Sequence, residues 1–221
     1  MKYLRKFETE AEIRVFVQPN VVLSADTRKV SYNVDSSGVY IQHIDGSLYS
    51  TEEWSNRRFA PENANGVALI LPDASFVIAN EIAKSSCVWR SGDERISGVS
   101  ITQDAEKAKT MLNGASNTEK ILAFGGSVNS AAYYCDAYIF PNGKKGYLPA
   151  IGEFMKVNEW LSEINAARQV IGLSPLQQAK YWSSTQYYGT SAWVAFVRTD
   201  EIIFEEQGKA QYLHVIAFQS I

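Results

Sequence analysis

YWSSTQYYGTSAWVAFV occupies residues 181–197, RTDEIIFEEQGKAQ residues 198–211 and YLHVIAFQSI residues 212–221. Three apolar or aromatic bursts stand out here: Trp193 to Val197, Ile202 to Phe204, and Tyr212 to Phe218. Each is short and rich in β-branched and aromatic residues, and polar, glycine-bearing segments separate them, which predicts strands rather than helix. Around them lie side chains suited to contact: Tyr187, Tyr188, Thr190, Arg198, Glu205, Gln211 and Tyr212. The stretch reads as a small sheet that presents a ligand-binding surface.

Working outward, the best helical pattern is Ile151 to Ile171. Phe154, Val157, Leu161, Ile164 and Ile171 recur at three- and four-residue steps, with Lys156, Glu159, Glu163 and Arg168 elsewhere. Pro149 precedes it and Gly172 follows. Shorter helices are predicted after Asp104, with Gly114 as the closing residue, from Thr118–Glu119, and over Ser127–Tyr138. Val67–Leu71 and Phe76–Ala79 form a strand pair around Pro72–Asp73. Before them, Val21–Ser24 and Lys29–Val34 read as a hairpin, Val39–Ile44 as a further strand, and Thr9 with Glu12 as the cap of a short helix. Glu52 to Asn65 is polar and carries Pro61, so a boundary is expected there. Residues 1–62 then form a small β-rich unit for attachment or oligomerisation, and residues 63–221 an α+β domain with helices on one side of an antiparallel sheet.

Composition excludes several functions. The 221-residue chain is 46% hydrophobic and 20% charged, ordinary for a globular protein, and its net charge is −3. No basic cluster extends beyond Arg57–Arg58 or Lys144–Lys145, so nucleic acid is not an expected partner. The opening MKYLRKFETEAE is charged where a signal peptide needs its apolar core, and Val67–Leu71 is too short to span a bilayer. No export signal and no membrane insertion are expected. Cys87 and Cys135 read as buried small hydrophobes, and the two histidines, His43 and His214, lack ligand spacing. Neither metal nor cofactor is expected.

The pieces NGVALIL (65–71), GYLPAIGEF (146–154), YWSSTQY (181–187), AWVAFV (192–197) and the terminal AF (217–218) together resemble the C-type lectin fold in its bacterial and phage branch. That group includes variable proteins of diversity-generating retroelements and adhesin-like tips. KYLRKFETEAE followed by PNVVL resembles the start of phage virion proteins. The resemblance implies a two-helix lectin-like domain with Trp193, Ala195 and Val197 inward and Val194, Phe196 and Arg198 outward. Phe196 is then either part of an aromatic patch or packed against a loop or neighbouring subunit. It further implies a non-enzymatic virion protein, made in the host cytoplasm, that presents its last strands to a host surface protein or glycan. The alternative is a structural component whose lectin-like domain contacts other virion subunits, in a homo-oligomer.

Two departures qualify what the resemblance implies. His214–Val215 stand where the family carries Arg-Pro, and the lectin-like region lacks the Glu-Pro-Asn and Trp-Asn-Asp triplets of calcium-dependent sugar binders. The formylglycine-generating enzymes of this fold use paired late cysteines, and no cysteine follows Cys135. A triad drawn from Ser183 or Ser184, His214 and Asp200 is a chance assortment. Ser183, Ser184 and Thr185 are better read as fixing the local backbone. No catalytic residue is expected.

Overall fold

A computed structural model describes residues 37–221 apart from Asp93, Gly126 and Ser127, together with the backbone of Val21–Leu23 (β1) and Val30–Tyr32 (β2). β1 and β2 pair antiparallel with Val22 opposite Ser31, as the hairpin reading expects. The helix expected after Thr9 lies outside the described residues.

The remaining strands are β3 (Gly38–His43), β4 (Leu48–Tyr49), β5 (Ala64–Ile70), β6 (Ser75–Cys87), β7 (Lys180–Gln186), β8 (Ser191–Val197), β9 (Ile202–Gly208) and β10 (Leu213–Ser220). They form one eight-stranded sheet in the order β4-β3-β5-β6-β10-β7-β8-β9. Among the described residues six α-helices accompany it: α1 (Thr51–Arg57), α2 (Ala105–Lys109), α3 (Gly114–Ala123), α4 (Ala131–Ala137), α5 (Ile151–Glu159) and α6 (Leu161–Val170). This corrects the expected two-helix lectin-like domain behind a small β-rich N-terminal unit. The sheet is also mixed rather than antiparallel, because β10 meets β7 in parallel, His214 against Tyr181.

The N-terminal strands join the large sheet for a definite reason. β3 pairs along β5, with Ile41 opposite Val67 and Val39 opposite Leu69, so apolar strands on the two sides of residue 62 share one ladder. The polar stretch after residue 50 is a capped helix, not a linker. Ser50 Oγ accepts from the Glu53 N–H, and the Glu53 carboxylate accepts from the Ser50 N–H. α1 buries Trp54 among Tyr49, His43 and Phe59, with ring centroids 4.9–6.2 Å from the indole. Gln42 of β3, Asn65 of β5, Gln219 of β10 and Asn142 then form an amide cluster across the sheet. Asn65 donates to both Gln42 and Gln219, and Asn142 exchanges hydrogen bonds with Gln219.

The long helix is divided. Trp160, at φ −123° and ψ 21°, separates α5 from α6. Arg168, expected on the polar face, is buried and donates to the carbonyls of Ala79, Asn80 and Ser174. Gly114 opens α3 instead of closing α2, while Asp104 caps α2 as expected. No side chain fits at Gly114, because a Cβ there would press on the Glu153 carboxylate and the Ala150 amide. The Ser127–Tyr138 helix shortens to α4, which Ser130 caps; Ala131, Ala132 and Cys135 are buried. Burial pushes the Cys87 thiol up to about 12 and raises that of Cys135, so neither is a thiolate at neutral pH.

Candidate binding site

The YWSSTQY motif forms β7, and its polar side chains tie the framework together. Ser183 Oγ donates to the Trp193 carbonyl of β8, and Thr185 Oγ1 accepts the Ile151 N–H at the start of α5. Ser184 Oγ accepts from Asn117 of α3. All three are fully buried. The serines are therefore committed to structure, while His214 packs its ring against Tyr181 at 5.7 Å. No catalytic triad assembles from these residues.

Trp182 and Trp193 are both core. Trp182 Nε1 donates to the Cys87 carbonyl and Trp193 Nε1 to the Thr102 carbonyl. Ile151, Met155 and Ala108 pack with Trp193. The expected outward set on β8 needs correction at Val194, which is 0% exposed. AWVAFV is a continuous apolar run, and such a run fits a strand covered on both faces. Phe196 is half-buried and Arg198 exposed.

The predicted contact residues divide into two groups. Tyr188 and Tyr212 are 62% and 71% exposed, and Thr190 and Gln211 are exposed beside them in the β7–β8 and β9–β10 loops. The Tyr188 N–H donates to Ser191 O, Ser191 pairs with Gly208, and the Gln211 N–H donates to Gly208 O. These four residues therefore meet at one end of the sheet. Phe196, Arg198 and Glu205 do not join them. Ser191 and Arg198 are seven strand positions apart, or about 23 Å at ~3.3 Å per residue. The Arg198 guanidinium lies 4.9 Å and the Lys180 ammonium 5.5 Å from the Phe196 ring centre, and Lys180 is also ion-paired with Glu205. Tyr187 belongs to neither surface, since it packs edge-on against Trp193 at 5.1 Å on the opposite face of β8 from Phe196.

The residues that sequence reasoning missed are those that fix the loop end. Lys209 is 0% exposed. Its ammonium donates to Gly189 O at 2.6 Å, Glu94 O at 3.0 Å and Gln186 Oε1 at 3.0 Å, and sits 4.5 Å from the Trp89 ring centre. Its backbone N–H donates to Thr190 O, and its carbonyl accepts from the Trp89 N–H. Gln186, also fully buried, clamps the preceding segment. Its Oε1 accepts the Ile96 N–H and its Nε2 donates to Ile96 O. One lysine and one glutamine thus join three loops beneath two exposed tyrosines. A lysine in GKAQ carries no local sign of burial, so composition reads the segment as solvated. The Trp89 ring is the one clue, as an indole face suits an ammonium.

A second buried ionisable group lies under α5. Glu153 accepts from the Ala150 N–H at 2.6 Å and from the Tyr147 hydroxyl at 3.1 Å. Burial pushes its carboxyl up to about 7, although these donors and the Gly114 amide offset part of that cost. It caps the start of α5 and is buried. Among the described residues no group of His, Cys, Asp and Glu is placed to hold a metal ion, and no helix is long and apolar enough to cross a membrane.

Comparison with family models gives no match, and no curated protein matches. Among solved structures, the chain is similar to a fimbrial protein from Bacteroides ovatus ATCC 8483, with a TM-score of 0.62 and 15% identity over 84% of this chain. It spans about half of that protein, 49% of its length, and the likeness is one of fold.

Proposed function

We propose that the protein is a non-enzymatic binding protein of the adhesion or surface-appendage kind, and that its contact surface is the end of the sheet bearing Tyr188, Thr190, Gln211 and Tyr212. The observation that carries this reading is the buried Lys209 beneath those residues. An ammonium spent on two loop carbonyls and the Gln186 side chain contributes nothing to a ligand directly, yet it holds two exposed tyrosines on a fixed base. Tyrosines held in this way offer large amphipathic area at little further entropic cost. The likeness to a fimbrial protein supports a place on an appendage. A virion tip presented to a host surface protein or glycan makes the same demand on such a domain.

The site's chemistry favours neutral polar ligands such as glycans: two phenols, a hydroxyl and an amide, with the nearby lysine buried. The test uses the full chain on a glycan array and on intact bacterial cells, with and without chelator. Tyr188→Ala/Tyr212→Ala should lose at least tenfold in binding with its melting temperature unchanged, and chelator should have no effect. Full binding by the double variant, or loss of binding on chelation alone, would reject this reading.

A further inference from the structure

Two carbonyls share the buried ammonium at the loop end. Lys209 donates to Gly189 O and to Glu94 O. Tyr188 precedes the first of these carbonyls and Arg95 follows the second, so both residues flank one hydrogen-bonded junction. Arg95 is held on its other side as well. The Ile96 N–H donates to Gln186 Oε1, and Ile96 O accepts from Gln186 Nε2. The backbone of Arg95 is therefore pinned before and after by the same two buried side chains that support the tyrosine loop.

The described charges at this junction are put to unequal use. Lys209 is buried and committed to its oxygens, and the Glu94 carboxylate is paired with Arg90 at 3.1 Å. The Arg95 side chain is exposed, and among the described residues it makes no hydrogen bond or ion pair. An arginine on a loose loop is ordinarily a solvated surface charge. Here the chain on both sides is fixed, so a ligand that engages the guanidinium has only the side chain to order. The planar guanidinium meets a carboxylate through two parallel hydrogen bonds, a match that a neutral hydroxyl does not offer.

We propose that Arg95 determines specificity at the tyrosine-bearing surface, and that the preferred ligand is an acidic glycan whose carboxylate lies on the Arg95 guanidinium. This rests on the binding reading above and narrows it. The two phenols, the hydroxyl and the amide take the neutral part of the ligand, and Arg95 takes one acidic group beside it.

The test uses the full chain on an array in which each uronic-acid oligosaccharide is matched with its methyl ester, so that the sugar is kept and the charge removed. The parent should bind its best acid at least tenfold more tightly than the ester, and added salt should shrink that preference. Arg95→Gln should abolish the preference while ester binding stays within threefold and the melting temperature is unchanged. Arg95→Lys should keep part of it, since the charge remains without the planar fork. Tyr188→Ala/Tyr212→Ala should weaken acid and ester alike. Equal binding of acid and ester by the parent, or a preference that survives Arg95→Gln, would overturn the role of Arg95 and leave the tyrosine surface standing. Binding indifferent to the tyrosine pair, or no binding to any glycan of the array, would overturn both.

Discussion

The two ends of β8 are built on opposite principles. At the Ser191 end, a fully buried lysine donates to two loop carbonyls and to Gln186 of β7 and lies against an indole, and Tyr188 and Tyr212 are exposed. At the Val197 end, Lys180 and Arg198 flank Phe196 from partly exposed positions and pair with Glu205 and Glu201. The first arrangement spends its charge internally and leaves neutral aromatic surface for contact. The second keeps its charge in solvent, where such pairs contribute about 0–1 kcal/mol each. The contrast teaches that the aromatic residue nearest two cations is not the best recognition candidate. Rigid support beneath a side chain says more than its chemical type.

The comparison is broken most severely by removing the floor of the Ser191 end. Trp193→Ala deletes the ring under Tyr187 and a hydrogen bond to Thr102, and should cost about 3–5 kcal/mol in denaturant unfolding. Lys209→Ala leaves three oxygens without their shared donor and should cost roughly 3 kcal/mol. Amide exchange at residues 189 and 190 should accelerate with it. An unchanged unfolding midpoint would show that Lys209 does not fix the loops.

Acidity provides a control independent of both ends. The Glu153 carboxyl is pushed up to about 7 by burial, from an ordinary 4.5. Between those values the folded state binds more protons than the unfolded chain, so this group's contribution falls as pH rises from about 4.5 through about 7. The loss amounts to at most about 3 kcal/mol. Glu153→Gln should flatten that part of the pH profile, and an identical slope in the variant would show that other groups set it.

The smallest effect belongs to the solvated end. Lys180→Ala should cost about 0–1 kcal/mol, and that cost should shrink with added salt. A larger, salt-independent loss would mean that this end is also a packed support.

The local elements were more legible in the sequence than their assembly. The terminal bursts correspond to β8, β9 and β10, and Val21–Ser24 with Lys29–Val34 contains the β1–β2 pair. Strand alternation and apolar runs are local signals that reach across a few residues. The joining of β3 to β5 is not local, and a polar stretch with Pro61 disguised a capped helix that returns the chain to the sheet. The two-helix expectation failed for the same reason: the six helices among the described residues and the mixed sheet depend on pairings far apart in sequence. Within the candidate site, the residue types of Tyr188, Thr190, Gln211 and Tyr212 are legible in the sequence. Their separation from Phe196 and Arg198 required the length of β8, and the inward turn of Lys209 required the positions of Glu94, Gln186 and Gly189.

The most direct measurement compares the two ends in one binding assay. Full-length protein, Tyr188→Ala/Tyr212→Ala and Phe196→Ala/Arg198→Ala are titrated against the same glycan array and the same bacterial cells, with melting temperatures recorded alongside. The account predicts at least a tenfold loss for the tyrosine pair and less than a threefold change for the Phe196 pair. A loss confined to Phe196→Ala/Arg198→Ala, with the tyrosine variant binding as the parent does, would contradict it.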